Sequence, residues 1–217
     1  MEVHYLSEKN SVLNHFLSQI RDVTIQKDSM RFRRNIERIG EIMSYEISQS
    51  LPYKEVEIST PLGVKKTTEI ADPLVLCSIL RAGLTLHQGF LNYFDNAQNG
   101  FISAYRHHPN NDDYFDIRVE YEAIADINNK ILFLVDPMLA TGLSMVAVFN
   151  KLIERGTPKE IHIAVIIAAP EGIAYLEENL PDYCHLWIAS LDEKLNEKSY
   201  IIPGLGDAGD LAYGAKL

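Results

Sequence analysis

The residues with the clearest chemical potential lie between Ile131 and Ser144, which read ILFLVDPMLATGLS. An apolar run ends in an acid, Asp136. Small and hydroxyl residues follow, and then a helical pattern begins. Such a segment suits a phosphate: Ala140, Thr141 and Gly142 let the main chain approach closely, and Thr141 and Ser144 offer hydroxyls. A helix start adds unpaired N–H groups and the positive end of its dipole. Asp136, at the end of the run, is placed to accept hydrogen bonds from sugar hydroxyls beside that phosphate. A plain strand–loop–helix connection capped by Thr or Ser would read the same way, so the residues alone leave both open. Neither a G-x-x-x-x-G-K-[ST] loop nor a G-x-G-x-x-G turn after a strand is present.

Two further segments carry directed polar groups. Ile79-Leu80-Arg81-Ala82-Gly83 closes another apolar run, where Arg81 can aim a bidentate guanidinium at a pyrophosphate or sit in a salt bridge at a turn. Near the end stands YIIPGLGDAGD, from Tyr200 to Asp210. Pro203, Gly204, Gly206 and Gly209 make it a tight loop with exposed main-chain groups. Such groups can satisfy the acceptor–donor–acceptor edge of a pyrimidine, and a generic surface loop is the alternative.

The elements that must position these segments follow from periodicity. Val12, Leu13, Phe16, Leu17 and Ile20 recur at helical spacing, as do Phe32, Ile36, Ile39, Met43 and Ile47. Residues 55–68 predict a small hairpin about Thr60-Pro61-Leu62-Gly63, with one wet face. Apolar runs near 74–80, 101–105, 131–135, 161–168 and 185–189 suit strands buried on both faces of a parallel sheet. Helical patterns lie between them, one through Leu86, Phe90, Leu91 and Phe94, another from Ser144 to Arg155 that stops at Gly156 and Pro158. Strands alternating with helices predict an open α/β sheet with its ligands beyond the carboxyl ends of the strands. A single domain over 1–217 is expected, with helices and hairpin in 1–70 and the core in 71–217.

The segment D-P-M-L-A-T-G resembles the phosphoribosyl pyrophosphate (PRPP) motif of the type I phosphoribosyltransferases. It takes the form found in uracil phosphoribosyltransferases, where Asp136-Pro137 replaces the usual pair of acids. I-L-R-A-G resembles that family's pyrophosphate loop, and the Tyr200–Asp210 string its uracil loop. The resemblance runs from about residue 10 to the end. It implies a central, mainly parallel sheet flanked by helices, and transfer of the 5-phosphoribosyl group from PRPP to uracil, giving UMP and pyrophosphate. By position it implies that PRPP meets Arg81, Ala82, Gly83, Arg106, Asp136, Pro137, Met138, Leu139, Ala140, Thr141, Gly142, Leu143, Ser144 and Asp207. Uracil would meet Ile201 (through its main chain), Gly206, Asp207 and Ala208. Arg81, Asp136 and Asp207 would carry the catalysis, with Asp207 a candidate for taking the uracil N1 proton. Mg²⁺ would travel with PRPP and need no dedicated protein ligands. A homodimer or higher homo-oligomer, and GTP as an allosteric effector, are further implications. Leu143 stands where the family usually has a second Gly. Pro170-Glu171-Gly172-Ile173-Ala174 and Leu195-Asn196-Glu197 match further signatures.

Charge and composition narrow the rest. The 217 residues are 47% hydrophobic and 23% charged, with a formal net charge of -10. Nucleic-acid binding needs a concentrated basic surface, and Arg31, Arg33, Arg34 and Arg38 read instead as a solvated helix face. An RNA-binding regulator on the same scaffold is therefore disfavoured, as is a purine-specific transferase, which would carry paired acids. A weakened homologue is the remaining alternative, hinted at by Leu143 and by the His107–Asp116 run, which reads as a mobile solvated loop rather than a metal site from His107, His108, Asp112 and Asp113. Cys77 and Cys184 sit in apolar runs and are expected buried and reduced. With no leader pattern and no apolar run of bilayer length, a cytoplasmic protein without membrane contact is expected.

Overall fold

The protein is described by a computed structural model, which covers residues 1–107 and 116–215; side chains are described outside 105–117. The chain runs β1 (Glu2–Tyr5), α1 (Val12–Arg21), α2 (Ser29–Ser48), β2 (Tyr53–Thr60), β3 (Gly63–Ile70), β4 (Leu74–Leu80), α3 (Gly83–Leu91), β5 (Gln98–His107) and β6 (Asp116–Ala123). It continues through β7 (Ile131–Val135), β8 (Met138–Leu139), α4 (Leu143–Ile153), β9 (Glu160–Ala168), α5 (Pro170–Asn179), β10 (Cys184–Leu191), β11 (Lys194–Leu195), β12 (Ile201–Ile202) and α6 (Ala208–Tyr213).

The main sheet has the order β1-β10-β9-β7-β4-β5-β6, with β8 paired to β9. All pairings are parallel except β5 with β6. Every residue of β7 is buried, so the continuous apolar run is what a doubly covered strand requires. The two faces take alternate residues. Ile131, Phe133 and Val135 join Trp187 and the apolar stripes of α1, α2 and α3. Leu132 and Leu134 join Leu186 and the inner residues of α4 and α5. The expected α/β architecture with a helical layer near the N-terminus is therefore present.

Local signals set the helix ends. Ser11 and Asn14 form a capping box on α1, and the Asp28 carboxylate accepts from the N–H groups of Met30 and Arg31. Arg33 and Arg38 leave the expected solvated face: Arg33 donates to the Ala212 carbonyl at 2.6 Å, and Arg38 lies 5.2 Å over the Phe16 ring. Cys77 and Cys184 are buried free thiols, and burial pushes both up to about 12. Among the described residues no helix is long and apolar enough to cross a membrane.

Three expectations need correction. The hairpin β2–β3 has wet residues on both faces, with Ile58, Leu62 and Val64 exposed, because little of the chain packs on either side. The first residues form a strand, β1, at the sheet edge beside β10. Pro170 opens α5, since the first helical position loses no hydrogen bond to proline. The final loop is shorter than its glycines suggest, because Asp207 caps α6. The His107–Asp116 run, with His107, His108, Asp112 and Asp113, lies outside the described residues or side chains.

Candidate active site

The chain leaves β4 through α3 to reach β5 on one side, then returns to place β7 on the other side of β4. This switch parts the loops at the carboxyl ends of β4 and β7, and an open α/β sheet binds its ligand in such a gap. The predicted segments meet there. A cleft of about 550 Å³ is lined by Arg81 and Ala82 after β4, by Asp136, Met138, Ala140 and Ser144 after β7, and by Ser199, Tyr200 and Gly206 to Gly209 from the last loop. A smaller hollow of about 160 Å³ adjoins it, lined by Asp136, Met138 to Gly142, Ser144 and Met145.

The hollow follows the chain from the end of β7 into α4. Gly142 sits at φ +80° at the N-cap of α4, a conformation that side chains resist. A Cβ there would also come within 2.8 Å of Leu176 Cδ1. Gly142 has no side chain to cap α4; the Leu143 N–H donates to Thr141 Oγ1 at 3.5 Å, and the helix N-terminus brings the positive end of its dipole to the hollow. Leu143 begins α4 half-buried and in ordinary backbone conformation, so the departure from glycine introduces no backbone strain. The Pro137 carbonyl accepts from the N–H groups of Ile166 and Ile167, both at 3.0 Å, which ties the loop to β9. Gly83 makes α3 pack tightly against β7: a Cβ would meet the Val135 carbonyl at 2.9 Å.

Asp136 is half-buried, and its Oδ1 lies 3.4 Å from the Met138 N–H. Burial pushes its carboxyl up to about 7, against a smaller opposing effect from that N–H. Arg81 is exposed and spans to the C-terminal helix, donating to Asp210 Oδ1 at 3.0 Å and the Gly214 carbonyl at 3.2 Å. Asp207 accepts from the Asp210 N–H at 2.8 Å. Gly83, Pro137, Leu143 and Ile201 do not line either cavity; Ile201 is buried in the core. The side chain of Arg106 lies outside those described, although Ala104 on the same strand reaches the cleft.

Sequence reasoning missed the clamp behind the last loop. Arg21, at the end of α1, grips both oxygens of the buried Asp192 and donates to Ser190 Oγ at 3.1 Å and to the Gly204 carbonyl at 2.9 Å. Asp192 Oδ2 accepts from the Gly204 N–H at 2.9 Å. One charged pair thus satisfies both main-chain groups of a loop glycine. Asp210, the partner of Arg81, was also missed; its spacing from Asp207 in D-A-G-D was the available signal.

A parallel sheet with a phosphate-sized hollow and a larger cleft at its switch point defines a type I phosphoribosyltransferase fold. A purine phosphoribosyltransferase of Pyrococcus horikoshii shares that fold at 14% identity, with a TM-score of 0.51 over 89% of this chain and 90% of its own. The AQ2163 protein of Aquifex aeolicus superposes with a TM-score of 0.87 at 28% identity, over 98% and 99% of the two chains. The uracil phosphoribosyltransferase family model matches residues 7–215. A uracil phosphoribosyltransferase of Porphyromonas gingivalis is 52% identical over the full length of both chains. One from Thermococcus gammatolerans is 34% identical over 98% of this chain and 94% of its own. The chain belongs to the uracil phosphoribosyltransferase family.

Proposed function

We propose that the cleft performs pyrimidine salvage, moving the 5-phosphoribosyl group from PRPP to N1 of uracil, with UMP and pyrophosphate as products. The supporting observation is the convergence of three loops on one cleft. One carries a guanidinium, one a carboxylate beside a helix N-terminus, and one an array of main-chain groups. In this reading the 5′-phosphate occupies the smaller hollow, against residues 140–144. Asp136 accepts hydrogen bonds from the ribose hydroxyls. Arg81 turns from Asp210 to the pyrophosphate, with Ala82, Gly83 and Arg106 completing that end. Uracil lies against Gly206, Asp207 and Ala208.

The bond from C1 to pyrophosphate oxygen breaks as the bond to N1 forms, through an oxocarbenium-like transition state, and the N1 proton departs. No protein nucleophile is required. The site aligns the reactants and stabilises the leaving charge. Asp207 is the candidate acceptor of the proton: one of its oxygens is committed to the Asp210 N–H, which leaves the second to offer. The donor set fits Mg²⁺ carried by the substrate. Among the described residues Asp136 and Asp207 are the carboxylates lining the cleft, and Pro137 stands where a second strand-end acid would build a protein cage. When bound, Mg²⁺ would neutralise phosphate charge, held mainly by phosphate oxygens and water.

A cytoplasmic homo-oligomer that responds to GTP belongs to the same reading. The exposed apolar residues of the hairpin favour an interface, and size-exclusion chromatography with and without GTP tests it. The reaction itself is tested with Mg²⁺, PRPP and each free base in turn. UMP from uracil alone is the expected result. PRPP binding without product from any base would mean that the scaffold has been kept and the reaction lost. Arg81→Ala should lower kcat by roughly 10²–10³, about 3–4 kcal/mol of transition-state stabilisation. A variant within a few-fold of wild type would remove Arg81 from the mechanism.

A further inference from the structure

At the opposite end of the sheet from the cleft, the first residues of β1, β9 and β10 bring ionisable side chains together. Register places Glu2 beside His185 and His185 beside His162, while His4 lies beside Trp187. All project to the face covered by α1 and α2, where Trp187 also packs. The Trp187 indole N–H donates to His162 Nδ1 at 3.1 Å. An indole N–H can only donate, so His162 carries its proton on Nε2. That nitrogen lies 3.2 Å from Glu160 Oε1 but forms no hydrogen bond.

The same Glu160 oxygen is 3.3 Å from His185 Nε2, and Glu2 Oε2 is 3.3 Å from His185 Nδ1. His185 therefore stands between two carboxylates. A neutral imidazole has one proton to offer, so one of its nitrogens turns a lone pair toward a carboxylate unless a cation intervenes. If the proton faces Glu160, the lone pair on Nδ1 faces Glu2. His185 Nδ1 is buried and forms no hydrogen bond, and the same holds for His4 Nε2, 3.7 Å from the other Glu2 oxygen. Stacking on Trp187, with ring centres 3.8 Å apart and planes within 10°, fixes the His4 ring.

We propose that Glu2, His4 and His185 form a binding site for a divalent transition-metal ion such as Zn²⁺, with water as the fourth ligand. Their donor atoms already lie within 4.8 Å of one another. Tetrahedral bonds of about 2.0–2.2 Å need donors roughly 3.4 Å apart, so the three side chains would draw together on binding. Two imidazoles and one carboxylate favour zinc, cobalt, nickel or copper over magnesium or calcium. Glu160 supplies the outer carboxylate that orients a metal-bound histidine. The ion would fasten β1 to β10 and has no part in the transfer reaction.

The test uses the full chain without a polyhistidine tag, dialysed against chelator. Co²⁺ should bind at one equivalent with visible absorption bands of a four-coordinate ion, Zn²⁺ should displace it, and Zn²⁺ should raise the melting temperature. His4→Phe keeps the stack on Trp187 while removing the ligand atom, and should lose the bands yet remain folded. His185→Gln should lose them as well. UMP formation should be the same with Zn²⁺ present or removed when Mg²⁺ is held constant. Absence of bands in the wild type, or bands that persist in His4→Phe, would overturn the proposal. So would an NMR spectrum showing His185 doubly protonated in the presence of Zn²⁺, because a proton would then occupy the place assigned to the metal.

Discussion

The loop after β7 and the loop after β12 line the same cleft but are held in different ways. The first is fixed by main chain: β7 lies between β4 and β9, β8 pairs with β9, and the Pro137 carbonyl meets two N–H groups of that strand. The second hangs from a two-residue ribbon, β11 with β12, and from the clamp of Arg21 on Asp192 and Gly204. A phosphate presents the same oxygens whatever base accompanies it, so in the proposed reading a frame of main chain serves the first loop. In the same reading the second loop takes the base, and its position rests on a few side chains. The two loops should therefore fail differently.

The largest effect should come from Arg21→Ala. It would leave Asp192 buried without its partner, and breaking a buried pair in this way costs about 3–5 kcal/mol. Denaturant unfolding should register that loss. In the variant the KM for uracil should rise while PRPP affinity, measured by calorimetry, stays near wild type. Equal losses for both substrates would end the distinction between the loops. Gly142→Ala is the converse. Its left-handed conformation costs a non-glycine residue about 1–2 kcal/mol, and the added Cβ would press on Leu176. PRPP binding should weaken by roughly tenfold, with uracil recognition at saturating PRPP little changed.

The protonation of Asp136 sharpens the same contrast. Its carboxyl is raised to about 7 by burial in the free protein, and the ribose hydroxyls need the ionised form as acceptor. PRPP affinity should therefore fall as pH drops through 7, by up to about tenfold per unit, and Asp136→Asn should flatten the difference. The sign for folding is opposite. A folded-state pKa above the unfolded value means that the native protein holds the extra proton, so this group's contribution to stability declines between about pH 4 and 7. The smallest effect belongs to Asp210→Asn. Its pairing with Arg81 is exposed on both sides, so thermal unfolding should show a loss within about 1 kcal/mol. A larger loss would mean that Arg81 is held to α6 more firmly than the pairing implies.

The main-chain loop was the legible one. An apolar run buried on both faces, an acid and a glycine before a helix are local signals, and β4, β7, β9, α1, α2 and α4 could be read from similar ones. What escaped was either too short or too distant. In β1 only four residues are paired, and just two of them are partly covered hydrophobic or aromatic types packed at an edge. The β6 segment, DIRVEYEA, places charged residues along the outer strand, so no buried run marks it. The Arg21–Asp192 clamp joins residues 171 positions apart; neither residue carries a local pattern that names the other.

The sheet order has a consequence for synthesis. Among the described strands, Glu2–Tyr5 pairs with Cys184–Leu191, which is synthesised after every other strand of the main sheet. While most of the chain is translated, that opening segment has no partner, and the outer side of β9 stays uncovered until β10 emerges. Pairing across such separations is slow because the intervening chain must be ordered first. The edge that closes the sheet therefore completes last, and a nascent chain stalled before residue 184 should still present the β9 edge to other strands.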